Sequence, residues 1–137
     1  IQIGSVVAED TSSPGNGELD EVRAGIRLAS GADPINVSKA SYTLSTAGKA
    51  EVTSGNPDDS STVTDISVKQ GDVNNYIIAE QEDLVIVTFD LDDSSNNLQA
   101  LKANQELEII AQAPAGGNTY RALSAPRRVK DGESYIL

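Results

Sequence analysis

The sequence has 137 residues, enough for one domain that buries roughly 65–70% of its unfolded surface in a single core. It contains no Cys, His, Met or Trp, which excludes thiol nucleophiles, histidine triads, imidazole metal sites and disulfide frameworks. With 21 Asp and Glu against 10 Lys and Arg, the net charge is −11. Because basic patches recognise nucleic acid and anionic membrane surfaces, we expect neither as a partner.

Alternation of apolar and polar residues predicts strands along most of the chain. The longest clean case covers residues 18–28, where Val22, Ala24 and Ile26 share one face and both arginines lie on the other. In chain order, the predicted strands cover residues 1–8, 18–28, 40–46, 62–68, 75–80, 84–91, 106–113, 119–123 and 134–137. In the strand 62–68, we expect Val63, Ile66 and Val68 to point inward.

Turn signals separate these strands. Clusters of Gly, Pro, Asn and Asp occupy residues 13–17, 30–34, 55–59 and 114–118, where Gly supplies positive φ and Pro fixes φ. Residues 97–104 fit either a short helix or a loop. The pattern predicts an all-β fold, an immunoglobulin-like antiparallel β-sandwich of about seven to nine strands, with residues 1–137 forming a single domain.

The ends of the sequence suggest a longer precursor. The chain lacks an initiator Met and no signal peptide remains at Ile1, so we expect it to begin inside a longer protein. No run approaches the roughly 20 apolar residues that span a bilayer, so we expect no membrane insertion by these residues.

Catalysis would have to rely on carboxylates, hydroxyls and lysine. Glu80 and Glu82 share one face of a predicted strand, but the single Phe and four Tyr give little material for the aromatic groove that a sugar substrate needs. We therefore expect no enzyme activity and no cofactor.

One acidic run offers hard oxygen ligands of the kind that calcium prefers. Within residues 90–97, the weak metal-ligand candidates are Asp90, Asp92, Asp93 and Asn96. The run lacks the Gly at the sixth position and the Glu at the twelfth that define an EF-hand loop. This favours an acidic, solvated loop that closes a hairpin, with no tight calcium site.

Asn36 is a candidate for glycosylation. Asn36, Val37 and Ser38 form the acceptor motif for N-linked sugar, and Pro34 fixes the chain two residues earlier. We expect the Asn36 side chain to be exposed at the edge of a turn. The alternative is an Asn that only caps the turn.

Two stretches resemble archaellins, the archaeal flagellins. Residues 18–38, ELDEVRAGIRLASGADPINVS, are similar to a segment of the archaellin outer domain in which a strand ends in a Pro-Gly or Ser-Gly-Ala-Asp turn followed by Ile-Asp/Asn-Leu/Val-Ser/Thr. Residues 101–117, LKANQELEIIAQAPAGG, are similar to the family's segment of Leu, polar turn, strand and Pro-x-Gly-Gly. Residues 132–137 fit its final strand.

The resemblance implies a sandwich displayed on the outside of an extracellular helical filament, which a membrane motor rotates for swimming. Family members carry an N-terminal apolar helix that is released from a pilin-like signal and packs in the filament core. That helix is absent from this sequence, so self-association with other filament subunits is expected to depend on it. The resemblance also implies that Asn36 carries an N-linked glycan.

Two alternatives stay open at the level of sequence. One is an accessory archaellum protein, a class with similar sandwich domains that anchors the motor to the surface layer. The other is a secreted adhesion or carbohydrate-binding module, against which the lack of Trp and the few Tyr argue.

Overall fold

The structure, a computed structural model, describes all residues from 1 to 137 and contains eleven strands. In chain order they are β1 (Gln2–Glu9), β2 (Glu21–Arg27), β3 (Ile35–Asn36), β4 (Ser41–Thr46), β5 (Lys49–Ser54), β6 (Val63–Gln70), β7 (Ile77–Ile78), β8 (Leu84–Asp90), β9 (Glu106–Gln112), β10 (Asn118–Ser124) and β11 (Ser134–Ile136). The helical segments are two 3-10 turns, Val37–Lys39 and Pro57–Asp59. Neither is long or apolar enough to cross a membrane.

Nine of the strands form two antiparallel sheets. One sheet has the order β11-β1-β2-β8-β6 and the other has the order β10-β9-β4-β5. The two-residue strands β3 and β7 pair separately at the edge of the domain. This arrangement confirms the predicted all-β antiparallel sandwich.

The core lies between the two sheets. The predicted face of β2 is confirmed, since Val22, Ala24 and Ile26 are fully buried and the two arginines of the strand stay partly exposed. Tyr42 of β4 and Phe89 of β8 meet across the sandwich with ring centroids 5.2 Å apart at an interplanar angle of 74°. This edge-to-face contact is a preferred arrangement for aromatic rings and links the two sheets.

The sequence pattern missed strand β5. Its apolar residues point outward, and Val52 is 70% exposed, whereas the polar Thr53 is buried. Because β5 lies at the edge of its sheet, its pairing with β4 comes from backbone hydrogen bonds and not from an apolar face.

Two further expectations fail at the sheet edges. Val63 and Ile66 are buried as predicted, but Val68, towards the end of edge strand β6, is 50% exposed although it pairs with the buried Val85. The predicted strand 75–80 shrinks to the two residues of β7, since residues 74–77 form a tight turn in which Ile77 N donates to Asn74 O.

Residues 91–105 connect the two sheets. Because β8 and β9 belong to different sheets, the acidic run does not close a hairpin, contrary to the expectation. Residues 97–104 form a loop and no helix. The backbones of Leu19 and Leu101 exchange two hydrogen bonds of 2.8 and 2.9 Å in an antiparallel bridge. Because the Leu101 amide and carbonyl bond to Leu19, they are not used for the hydrogen bonds within a helical turn.

Candidate functional site

Asn36 begins the first 3-10 turn. Its Oδ1 accepts hydrogen bonds from Ser38 N at 3.0 Å and from Ser38 Oγ at 2.6 Å, so the two polar residues of the acceptor motif contact each other. The side chain is half-buried, less open than the sequence suggested. Both hydrogen bonds are accepted by the side-chain oxygen of Asn36. The side-chain nitrogen, to which an N-linked sugar attaches, takes no part in either of them.

Three of the four metal-ligand candidates use a side-chain oxygen within the loop, and Asp92 contributes its backbone amide. Asp90 Oδ1 accepts from Asp92 N at 2.9 Å, Asp93 Oδ1 accepts from Ser95 N at 2.7 Å, and Asn96 Oδ1 accepts from the following Leu98 amide. Each is a local turn of the type that Asx side chains form. No group of three or more acidic side chains in the chain is placed to hold a metal ion.

Partial burial raises the pKa of the Asp90 carboxyl, and the neighbouring carboxylates of Asp93 and Asp20 act in the same direction. Repulsion between these neighbouring carboxylates therefore disfavours the ionised form of Asp90.

A shallow cavity of about 400 Å³ lies beside the first residue. It is lined by small and apolar residues, among them Ile1, Pro34 and Ile35, and its one ionisable side chain is that of Asp33. No second ionisable side chain lines the cavity, and the Thr119 hydroxyl at its wall donates to the Ile1 carbonyl, so the cavity holds no pair of ionisable side chains for general acid-base chemistry.

The loop from residue 125 to 133, here called the basic loop, is organised by a buried carboxylate. Asp10 is 2% exposed, and its oxygens accept from the amides of Gly132 at 3.0 Å, Asn16 at 2.9 Å and Gly17 at 3.0 Å. The hydrogen bond from the Gly132 amide lowers the pKa of this carboxyl most. Those from Gly17, Ser12 and Asn16 in the β1–β2 loop add to it, so the pKa stays below its ordinary value despite the burial of Asp10. One charged side chain thus joins the β1–β2 loop to the basic loop.

The loop from residue 71 to 83, here called the acidic loop, is organised in the same way. Asp83 is also 2% exposed, and its Oδ2 accepts from Ala79 N at 2.9 Å and Glu80 N at 3.0 Å. These bonds, led by that from Glu80, hold the pKa of the Asp83 carboxyl below its ordinary value. At Gly71, with φ at +91°, an added Cβ would overlap Asp83 Oδ1, so the position requires glycine.

Sequence reasoning missed both carboxylates. An Asp in a polar loop is common, and its neighbours in sequence do not reveal that distant amides converge on it. The Arg-Arg-Val-Lys run at 127–130 is visible in the sequence, yet only the topology shows which end of the sandwich it occupies.

No protein-family model matches the sequence. The structure is similar to archaeal flagellin FlaB1 from Methanocaldococcus jannaschii, with a TM-score of 0.73 and 14% identity over 98% of this chain and 94% of that chain. It is also similar to the archaeal flagellum of Methanospirillum hungatei, with a TM-score of 0.65 and 12% identity over 99% of this chain and 69% of that chain.

A weaker likeness exists to the archaellum periplasmic stator protein complex FlaF and FlaG from Sulfolobus acidocaldarius. Its TM-score is 0.53 at 15% identity, over 85% of this chain and 87% of that chain. The fold implied by the archaellin resemblance is thereby confirmed: the chain has the fold of archaeal flagellin over nearly its whole length.

Proposed function

We propose that this chain is the surface-exposed globular domain of an archaellum filament subunit, a structural protein of the extracellular filament used for swimming. The observation that carries the proposal is the likeness to archaeal flagellin FlaB1, which spans 98% of this chain and 94% of that protein. The lack of His and Cys and the local use of the loop carboxylates fit a structural role better than a catalytic one.

Assembly in this proposal depends on an apolar N-terminal helix outside these residues. The net charge of −11 opposes close packing of the domains at low salt, and an axial bundle of apolar helices would supply the main cohesion. The partners are then other filament subunits.

Immunogold electron microscopy of native cells tests the proposal, using antibodies raised against the 137-residue chain. We expect gold along the whole length of the surface filaments. Label confined to the cell envelope would instead support the stator alternative, which the likeness to the FlaF and FlaG complex favours. Label on cells that carry no filament would support an adhesion module.

The glycan on Asn36 is part of the proposal. The half-buried side chain touches the surface, and the Ser38 hydroxyl already contacts its amide. Intact-mass measurement of the native protein should show added sugar that disappears in Asn36→Gln and in Ser38→Ala. A native mass equal to the sequence mass would contradict this part.

For the acidic run from Asp90 to Asn97 we propose a solvated connecting loop without tight calcium binding. Thermal melts in millimolar calcium and in a chelator should coincide. A rise of several degrees with calcium would contradict this, since a ligand that binds only the native state raises its stability.

A further inference from the structure

We infer that the basic loop of one copy of this chain binds the acidic loop of the next copy, in a head-to-tail contact. The inference rests on the proposed function and deepens it, because it names the surfaces through which neighbouring domains touch. It concerns contacts between the globular domains and not the apolar helix.

The two loops lie at opposite ends of the five-stranded sheet. The basic loop leads into Ser134, which pairs with Glu9 at one end of β1. The acidic loop joins Gln70 to Leu84, which pair with each other. Leu84 also pairs with Arg27, and Arg27 pairs with Gln2 at the start of β1, so this loop lies at the other end of the sheet. Strand β1 has eight residues, so the two ends lie about 23 Å apart. A contact between two different surfaces at opposite ends repeats from copy to copy and builds an open chain, or a ring where the rotation closes, unlike a twofold contact, which stops at a dimer.

The charges of the loops are complementary. Arg127, Arg128 and Lys130 are exposed, and none of them takes part in the ion pairs of the chain, which join Arg23 to Glu9 and Glu21 and Lys102 to Glu18. Three of the ten basic residues are thus concentrated, without ion pairs, in a strongly acidic protein. The exposed Asp131 and Glu133 lie in the same loop, so its three cations and two carboxylates give a net charge of +1, opposite in sign to the acidic loop. The acidic loop presents the exposed carboxylates of Asp72, Glu80 and Glu82, also without ion pairs.

The acidic loop adds an apolar anchor. Tyr76 and Ile77 are 42% and 40% exposed at its tip. Asn75 and Tyr76 have φ of 53° and 62°, a left-handed conformation that is unusual for a bulky residue. The Tyr76 carbonyl accepts from Val37 N at 2.9 Å, which holds this turn in place. Such strain is typical of segments whose shape serves a function.

Both loops are held in shape before any contact forms. Asp10 binds the Gly132 amide in the basic loop, and Asp83 binds the Ala79 and Glu80 amides in the acidic loop. Val129 and Val73, one in each loop, pack against the core. Because the loops are already ordered, binding loses little backbone conformational entropy.

A second copy is the occupant that the charges favour. The basic loop needs an acidic partner, and the overall charge of −11 repels the most common one, nucleic acid. At moderate salt the Debye length is about 8 Å, so the repulsion between whole domains is screened while ion pairs in direct contact persist. We expect self-association to pass through a maximum as salt rises from low to high concentration.

Sedimentation velocity of the unglycosylated 137-residue chain at about 0.15 M salt tests the contact. The unglycosylated chain is chosen because Asn36 pairs with Ile77 at the border of the acidic loop. We expect Arg128→Glu and Glu82→Lys each to lower the association constant about tenfold. The double variant Arg128→Glu/Glu82→Lys exchanges the two charges and should recover to within about threefold of the wild type.

Two control variants make the same changes in net charge elsewhere. Lys49→Glu matches Arg128→Glu, and Asp58→Lys matches Glu82→Lys, and all four side chains are exposed. We expect both controls to associate like the wild type. Equal losses in controls and loop variants would mean that only net charge matters, and would overturn the inference.

Disulfide trapping separates the head-to-tail contact from a twofold dimer. The chain has no cysteine, so the double variant Pro126→Cys/Gln81→Cys carries only the introduced pair and keeps every charge of the two loops. Under mild oxidation we expect a ladder of covalent oligomers longer than dimers, and at most dimers from each single-cysteine variant. A double variant that stops at dimers, a wild-type chain that stays monomeric at every salt concentration, or a charge exchange without recovery would each overturn the inference.

None of these results depends on where the antibodies bind in cells, so the proposed function would stand or fall separately.

Discussion

Replacing Tyr42 by Phe should stabilise the protein. The Tyr42 hydroxyl is completely buried and has no hydrogen-bond partner, and burial raises the pKa of this phenol. An unpaired buried polar group costs about 1–3 kcal/mol. The substitution keeps the ring and its edge-to-face contact with Phe89, and removes only the oxygen. Allowing for the small space that the oxygen leaves, we expect the free energy of unfolding to increase by about 1–2 kcal/mol.

The expected change in melting temperature follows from the chain length. At about 2.1 cal/mol/K per residue, 137 residues give an unfolding entropy of about 0.29 kcal/mol/K. A gain of about 1–2 kcal/mol then raises the Tm by about 3–7 °C. Differential scanning calorimetry measures the Tm, and urea titration measures the free energy of unfolding.

Tyr120→Phe is the matched control. It removes the same atom from a side chain that is 54% exposed and bonded to Glu108 on the surface, so its Tm should stay unchanged. A Tyr42→Phe variant that is less stable than the wild type would refute the reasoning. That result would mean that the hydroxyl has a bonding partner in the folded protein.

Two further substitutions test the loops. Gly55→Ala should lower the free energy of unfolding by about 1–3 kcal/mol in urea titration, because its Cβ would lie 2.6 Å from Val37 O and 2.8 Å from Ala40 O; an unchanged stability would show that this backbone moves apart easily. Asp10→Asn should destabilise the protein at neutral pH. Because the pKa of Asp10 is lowered on folding, its stabilising contribution is present above the unfolded pKa, about 4, and is lost as the pH falls through the folded pKa. Urea titrations at descending pH should therefore show the wild type and Asp10→Asn converging in acid, and a constant difference would contradict the assignment.

The sequence predicts the sandwich wherever burial follows an alternating pattern. In β2 the apolar residues point inward and the arginines outward, so the period of two identifies the strand and its face. Strand β5 carries Val52 outward and Thr53 inward, and its pairing through backbone groups leaves no trace in the pattern of hydrophobicity. The other edge strands, β6, β10 and β11, were predicted because they keep an apolar pattern, whereas β5 and the two-residue β3 were missed.

The candidate sites and the proposed contact surfaces were harder to predict than the strands. Asn36 and the carboxylates from Asp90 onward are recognisable because each belongs to a motif of adjacent residues. The bond between Asp10 and Gly132 joins positions separated by 122 residues, and the opposition of the basic and acidic loops depends on the order of strands in the sheet. Local sequence contains neither relationship.

The position of β1 determines how the domain resists mechanical force. This strand lies between β11 and β2, and Arg121 donates bonds of 3.0 Å to the carbonyls of Ile3 and Gly4 near its beginning. The hydrogen bonds of an antiparallel ladder run perpendicular to the strands. A pull on Ile1 along the strand axis therefore loads both ladders in shear, so that many bonds share the force and must break together. In the proposed filament subunit, a domain held through this strand would keep its shape under hydrodynamic drag.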